Sequence, residues 1–187
     1  MTRLAVGLLA LGLLIHVGLG LALSGNTLLP GDRLAFDVMG DLRSGTGVDV
    51  VRVLTNLASL PVAIVVVAIS AIAVDRRGRR DQALALVAGF AIVFVLVHVT
   101  KELWDRPRPT GRLQDVIGKS YPSGHSAYAA TYVACAVALR SRALLVASLV
   151  LALAIGLTRL YLHVHFLTDV LGGFALTLAV FAILLRP

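Results

Sequence analysis

The chain has 187 residues, of which 58% are apolar, and it carries a net charge of +7. A water-soluble domain of this length cannot hide so much apolar surface, so a soluble globular protein is excluded. The single cysteine, Cys135, excludes an internal disulfide and a zinc-cysteine cluster, and its place inside an apolar run predicts a small buried side chain.

The positive charge falls in short loops between apolar runs. In a soluble protein such a charge would suggest a nucleic-acid partner. Loop cations beside apolar runs instead set the orientation of a membrane protein. We therefore expect the lipid bilayer as a partner, and no nucleic acid.

Six apolar runs predict an all-α bundle of six transmembrane helices, because about 20 apolar residues cross the hydrocarbon core. In chain order the runs are Leu4–Leu23, Val53–Val74, Gln82–Thr100 continuing to Trp104, Ser123–Leu139, Ala143–Leu162 and Phe166–Leu185. The last three are marginal in length, and polar residues enter their ends. Membrane helices tolerate such ends where they line a protein-enclosed cavity. We expect one integral membrane domain over residues 1–187.

The segment Leu28–Arg52, between the first two predicted spans, is rich in charged residues. Its apolar residues Leu34, Val38 and Leu42 recur at helical spacing. This pattern predicts one or two short interfacial helices. The expected breaks are the glycines Gly40, Gly45 and Gly47.

Basic residues in alternate loops predict the orientation. They crowd the loops after spans two and four and mark both termini: Arg76, Arg77, Arg79, Arg80, Arg140, Arg142, Arg3 and Arg186. The positive-inside rule places these loops and both termini in the cytoplasm, so the other three loops face out. The outward loops nevertheless contain Lys101, Arg106, Arg108, Arg112, Lys119 and Arg159. Cations on the side that orientation does not favour indicate a function.

The stretch YPSGHS opens the fourth predicted span and has the features of an anion-binding helix start. Pro122 ends any preceding helix, Ser123 is a good N-cap, and Gly124 lets the backbone approach a ligand closely. The free N–H groups and the positive dipole end of a helix start attract an anion, and His125 would stand beside it. A plain helix cap is the alternative interpretation of this stretch.

Between spans five and six, His165 and Asp169 are four residues apart, which places them on one face of a helix. The carboxylate can accept the Nδ1–H of the imidazole, fix its tautomer and leave Nε2 free as a nucleophile. Arg159 lies six residues earlier, and charged side chains at membrane depth are costly without a role. A structural network between two helices is the alternative.

The end of span three adds Lys101 and Arg108, the second of which precedes Pro109. Lysine offers a point charge and arginine a bidentate fork for phosphate. Snorkelling of both side chains to the membrane interface is the alternative. Together with the two histidines, the carboxylate and the helix start, these cations provide what phosphoryl transfer requires.

Three motifs resemble, in order and spacing, the signature of the type 2 phosphatidic acid phosphatase superfamily, the lipid phosphate phosphatases. They are Lys101-x6-Arg108-Pro109, Pro122-Ser123-Gly124-His125 and Arg159-x5-His165-x3-Asp169. The resemblance covers about Lys101–Gly173, and the six-span layout is similar to that of small bacterial-type membrane members. Two positions depart from the usual pattern: Thr158 stands where serine is common, and His163 where many members have a small residue.

The resemblance implies a metal-independent lipid phosphatase or diphosphatase without a cofactor. His165 would attack phosphorus and become phosphohistidine, Asp169 would orient it, and His125 would protonate the leaving oxygen. The implied phosphate-binding residues are Lys101, Arg108, Ser123, Gly124 and Arg159.

The preferred substrate is an outward-facing isoprenoid diphosphate such as undecaprenyl diphosphate. Phosphatidic acid, diacylglycerol pyrophosphate and phosphatidylglycerol phosphate are the alternatives. Two other kinds of site stay open. An anion transporter would use the cations to line a pathway but would need no nucleophile, and a metal site would use the histidines around His163 and His165.

Overall fold

The computed structural model describes residues 2–23, 27–42 and 44–185. Over these ranges it contains eight α-helices and no strand, which confirms the all-α prediction. The helices α1 to α8 are Arg3–Ala22, Pro30–Asp41, Gly45–Thr55, Leu60–Asp75, Arg80–Trp104, Gly124–Ala138, Arg142–Tyr161 and Leu167–Leu184. Arg186, predicted to mark a cytoplasmic terminus, lies outside the described residues.

Four helices, α1, α5, α7 and α8, are each long and apolar enough to cross a membrane. A fifth crossing results if Gly47–Ala58 and α4, which meet at a 43° bend, act as one broken span. Helix α6 has 15 residues. At 1.5 Å per residue it is about 22 Å long, which is shorter than the hydrocarbon core. By length and composition the described residues therefore give four or five spans, and the predicted count of six is not confirmed.

Helix α6 is short because it lies inside the bundle. It packs against α4, α5, α7 and α8. Its buried face is rich in alanine, and Cys135 is buried there as the sequence predicts. Small side chains let the neighbouring helices approach closely. A helix enclosed by protein does not need to match the thickness of the bilayer.

The chain before α4 differs from the predicted continuous span Val53–Val74. Helix α3 ends at Thr55, and a short 3-10 turn over Asn56–Ala58 leads to α4, which has Pro61 in its first turn. Proline is tolerated at a helix start and not in a helix interior, so the helix breaks before it.

Two short helices, α2 and α3, occupy the predicted interfacial segment. Helix α2 ends at Asp41 and α3 begins at Gly45, and Ser44 caps α3 by accepting a hydrogen bond from the Gly47 amide at 3.1 Å. Gly40 and Gly47 lie inside helices, so their prediction as breaks is wrong. Helix α2 packs on α7 and α8, and α3 packs on α7.

One end of the bundle collects the end of α5, the start of α6, the end of α7 and the start of α8. At this end α8 approaches α6 so closely that a Cβ at Gly173 would lie 2.5 Å from the Ser123 carbonyl oxygen. Only glycine permits that distance, so this residue lets the two helices pack closely. The loop over residues 105–123 closes over the same end.

Candidate active site

His165 lies in the turn between α7 and α8, where its two ring nitrogens face opposite charges. The Nδ1 atom is 3.3 Å from Oδ2 of Asp169, and Nη1 of Arg108 is 3.0 Å from Nε2. Both His165 and Asp169 are buried. A guanidinium only donates, so Nε2 is the acceptor and Nδ1 carries the proton. This is the tautomer that the spacing of His165 and Asp169 predicts.

The cations around His165 also affect its protonation. Burial lowers the pKa of His165 well below the ordinary value, and the nearby cations Arg108, Lys101 and Arg159 lower it further. A neutral imidazole is therefore favoured across the physiological range. Neutral imidazole, with a free lone pair on Nε2, is the form that attacks an electrophile.

Asp169 is held by three donors besides His165. Its Oδ1 atom accepts from Nη1 of Arg106 at 2.6 Å. Its Oδ2 atom accepts from the Ser120 hydroxyl at 2.5 Å and from the Phe166 amide at 2.9 Å. These bonds fix the carboxylate at the start of α8, where the helix dipole favours a negative charge.

Arg106 and Asp32 are the main site residues that the sequence analysis did not identify. Both side chains are buried, and Nη2 of Arg106 donates to Oδ2 of Asp32 at 2.8 Å. The Arg106 guanidinium also stacks over the Phe166 ring, 4.0 Å from its centroid. One signal was available: Arg106 is a cation in a loop predicted to face outward, against the positive-inside rule.

Lys101 and Arg108 donate hydrogen bonds to backbone oxygens around the site, most of them in the loop over residues 105–123. The Nζ atom of Lys101 donates to the backbone oxygens of Lys119 and Ser120 at 2.6 and 3.2 Å. Arg108 donates to three more backbone oxygens, those of Gly118, Val164 and Ile117, at 2.8, 2.8 and 3.3 Å. Burial lowers the pKa of Arg108 to about 10, at which the guanidinium is still charged at neutral pH.

Arg159 enters the site from α7 and is almost fully buried. Its Nη1 atom donates to the Thr55 hydroxyl at 2.8 Å and to Oε1 of Gln114 at 3.4 Å. Its Nε–H has no hydrogen-bond partner among the described residues. A buried guanidinium with an unused donor is suited to bind an anion.

The start of α6 forms the last wall of the site. Ser123 is the N-cap, and its hydroxyl accepts from the amide and the hydroxyl of Ser126 at 3.4 and 2.9 Å. A Cβ at Gly124 would be 3.6 Å from the Val97 side chain, an ordinary contact. The packing of the protein therefore does not require glycine there, and close approach of a ligand at this position stays a prediction.

His125 follows in the first turn of α6 and is half-buried. It interacts electrostatically with Arg159, Arg108 and Lys101, the same cations that surround His165. The structure thus brings together all eight residues that the sequence analysis assigned to the site. Their catalytic and binding roles remain predictions.

The three other histidines make contacts outside the set of eight residues. His16 is 3.0 Å from the Gly172 carbonyl oxygen through Nδ1, and His98 is 2.8 Å from that of Phe94. His163 contacts the Phe36 ring edge-on, with centroids 4.0 Å apart. Over the described ranges, no group of three or more His, Cys, Asp or Glu side chains is placed to hold a metal ion.

A model of the PAP2 superfamily matches residues 82–186 of the chain. Phosphatidylglycerophosphatase B of Bacillus subtilis (strain 168) is 39% identical over 98 residues, which are 46% of this chain and 48% of that protein. The matched part of the chain thus spans about half the length of this curated relative.

Two solved structures are similar to this one. The crystal structure of the first transmembrane PAP2-type phosphatidylglycerolphosphate phosphatase, from Bacillus subtilis, has a TM-score of 0.83 and 28% identity, and the match covers 96% of this chain and 93% of that chain. The structure of Aquifex aeolicus LpxE has a TM-score of 0.70, with 86% of this chain and 97% of that chain covered. At 23% identity, the second likeness concerns the fold alone.

Proposed function

The chain belongs to the PAP2 superfamily, whose model matches more than half of it, and from this premise we propose that the protein is a membrane lipid phosphatase. It hydrolyses a lipid phosphate monoester or diphosphate through a phosphohistidine intermediate. The reaction uses side chains and water only.

The observation that carries this proposal is the environment of His165. Its Nδ1–H is directed to Asp169, and its Nε2 lies among cations that suit a phosphate. A nucleophile of fixed tautomer beside a cluster of donors is the arrangement that phosphoryl transfer needs. An anion transporter, the alternative from another class, has no use for an oriented nucleophile.

In the first step, the Nε2 lone pair of His165 attacks phosphorus. The bond from phosphorus to the leaving oxygen breaks, and His125 gives that oxygen a proton. The negative charge of the bound phosphate offsets the surrounding cations and keeps His125 in the imidazolium form that this step needs. The lipid alcohol leaves from a monoester, and the lipid monophosphate leaves from a diphosphate. The ring of His165 now carries a positive charge, which the Asp169 carboxylate stabilises.

In the second step, water attacks the phosphoryl group while His125, now neutral, accepts a proton from it. The bond between phosphorus and Nε2 breaks, and inorganic phosphate is released. The guanidinium groups of Arg108 and Arg159, the ammonium of Lys101 and the first-turn amides of α6 stabilise charge on the phosphoryl oxygens in both steps.

Two lipid phosphates are the first substrates to test. The curated relative and the first of the two solved structures, both from Bacillus subtilis, are named for a phosphatase of phosphatidylglycerol phosphate, which favours that monoester. Undecaprenyl diphosphate fits a site that faces out of the cell. Phosphatidic acid and diacylglycerol pyrophosphate complete the panel.

The basic loops support a site on the extracytoplasmic face with both termini in the cytoplasm. Two exposed positions test this orientation in a Cys135→Ala chain: Ile117 beside the site, and Arg76 in the loop after α4. A cysteine at residue 117 should react with a membrane-impermeant thiol reagent in intact cells. A cysteine at residue 76 should react only after the membrane is broken. The reverse pattern would place the site in the cytoplasm.

The activity itself is tested by phosphate release from the four lipids, with purified protein in detergent and a strong chelator present. We expect wild type to release phosphate and His165→Ala to release none. Equal release by both proteins would contradict the proposal. Activity that is lost in chelator and restored by zinc would favour the metal alternative.

A further inference from the structure

Asp32 is linked to the site although it lies far from it in the sequence and outside residues 82–186, which match the family model. It belongs to α2, in the segment predicted to be merely interfacial, and its side chain is fully buried. Burial of an unpaired carboxylate costs free energy, so the residues that pair with Asp32 indicate its role.

Among the described residues, two contact the side chain of Asp32. The Thr168 amide donates to Oδ1 at 2.9 Å, and the Thr168 hydroxyl is 3.0 Å from both carboxylate oxygens. The Nη2 atom of Arg106 donates to Oδ2 at 2.8 Å. Asp32 therefore caps the first turn of α8 from another helix and also forms an ion pair.

Arg106 carries the link from Asp32 to Asp169. Its Nη1 atom donates to Oδ1 of Asp169 at 2.6 Å and to the Thr168 hydroxyl at 2.7 Å, while Nη2 holds Asp32. One guanidinium thus bridges two buried carboxylates. Asp169 in turn faces Nδ1 of His165, so a continuous path of charged contacts joins α2 to His165.

One positive charge, that of Arg106, faces two negative charges, those of Asp32 and Asp169. If Arg106 paired with Asp169 alone, one positive charge would largely neutralise the carboxylate that supports His165. Because Arg106 is shared with Asp32, Asp169 keeps more of its negative charge toward the imidazole. The added negative charge has a large electrostatic effect on the imidazole, because the effective dielectric constant of a buried site is low.

We propose that Asp32 is a positioning residue which, through Arg106, holds Asp169 in place and preserves the negative charge that stabilises His165 when its ring becomes positive. This inference rests on the proposed phosphohistidine reaction. It predicts a specific kinetic effect: loss of Asp32 slows the chemical step and leaves lipid binding nearly unchanged, because Asp32 does not touch the lipid.

The test compares Asp32→Asn with Asp37→Asn, a matched change at an exposed position of the same helix. Purified variants are assayed for kcat and KM on the best lipid of the panel, and folding is checked by thermal unfolding. We expect kcat of Asp32→Asn to fall about 10- to 100-fold, with KM within about threefold of wild type. Residues that orient metal-bound histidines through a hydrogen bond have effects of this size. Asp37→Asn should behave as wild type.

A second variant keeps the test decisive if Asp32→Asn does not fold. Arg106→Lys keeps the positive charge, but a single ammonium lacks the fork that reaches both carboxylates. It should show the same loss of kcat with little change in KM. A folded Asp32→Asn or Arg106→Lys with wild-type kcat overturns the inference, and so does a loss confined to KM. Absence of turnover in wild type would instead refute the proposed function.

Discussion

Nη1 of Arg108 lies 3.0 Å from Nε2 of His165, the atom that we propose as the nucleophile. The same nitrogen also donates to the Val164 carbonyl oxygen at 2.8 Å. Arg108 therefore covers the lone pair that must attack phosphorus. A phosphate that draws the guanidinium to its own oxygens would uncover Nε2, so that binding of the substrate and exposure of the nucleophile are one event.

This relationship predicts a large effect of Arg108→Lys. Lysine keeps the charge but loses the bidentate fork. A hydrogen bond to a charged group contributes about 1.5–3 kcal/mol, so kcat/KM should fall about 10- to 100-fold in a phosphate-release assay. The control is Arg76→Lys, at an exposed position in the loop after α4, which should leave kcat/KM unchanged. Equal losses at the two positions would contradict the assignment of Arg108 to phosphate binding.

A second prediction concerns the start of α6. Gly124→Ala should leave the thermal unfolding temperature nearly unchanged, because the added Cβ would lie 3.6 Å from Val97, an ordinary van der Waals distance. It should raise KM severalfold, because the methyl group keeps the phosphate away from the first-turn amides.

The matched change is Gly173→Ala, where the added Cβ would lie 2.5 Å from the Ser123 carbonyl oxygen. This variant should be clearly less stable in the same unfolding measurement. If Gly124→Ala loses stability and keeps its KM, the glycine serves packing and not ligand approach.

A third prediction concerns Thr55, which lies at the end of α3. Its buried hydroxyl accepts hydrogen bonds from Nη1 of Arg159 at 2.8 Å and from the Thr158 hydroxyl at 3.1 Å. Thr55→Val keeps the shape but removes this acceptor, so Arg159 is no longer held in place. Loss of a bond to a charged group predicts a fall in kcat/KM of about tenfold or more.

The control for Thr55→Val is Thr177→Val in α8. Thr177 is equally buried, and its hydroxyl bonds the backbone oxygens of Ala127 and Gly173. Its replacement should affect kcat/KM little. A Thr55→Val protein with wild-type kinetics would show that Arg159 does not depend on α3.

A fourth prediction concerns pH. Burial and the surrounding cations lower the pKa of His165. Its imidazole should therefore stay neutral as the pH falls through 6.5, the ordinary value for histidine. In nitrogen-15 NMR of histidine-labelled protein, the His165 signals, assigned by their loss in His165→Asn, should show the Nδ1–H tautomer at pH 5.5. Titration of His165 near pH 6.5 would contradict this assignment.

The lowered pKa of His165 also makes the stability of the folded protein depend on pH. The unfolded chain takes up a proton on this histidine below about pH 6.5, whereas the folded chain does not. The contribution of His165 to stability is therefore complete above that pH and is lost progressively below it. His165→Asn should accordingly weaken the acid dependence of the unfolding temperature.

Much of the site could be predicted from the sequence because its signals are local. The four-residue spacing of His165 and Asp169 predicts that their side chains meet, as they do, although His165 lies in the turn before α8 and not on a helix as predicted. Ser123 marks a helix start by its own chemistry. The cations in the loops predicted to face outward were exceptions to the positive-inside rule. Each of these inferences needs only a few neighbouring residues.

The remaining features depend on tertiary packing. Asp32 and Arg106 are 74 residues apart, and only the packing of α2 beside the loop after α5 brings them together. Helix α6 can be shorter than the hydrocarbon core is thick because other helices enclose it. The break before α4 could have been predicted from the sequence alone, because Pro61 stands inside the predicted second span and proline does not fit a helix interior.

The most direct test of the account is to trap the phosphoryl group on the enzyme. Wild type is mixed with a lipid phosphate labelled with phosphorus-32 and quenched in base within milliseconds, since phosphohistidine survives base better than acid. We predict base-stable label on the peptide that contains His165 and no label in His165→Asn, which should also be inactive. Rapid turnover in wild type without label on that peptide, together with substantial activity in His165→Asn, would contradict the proposed mechanism.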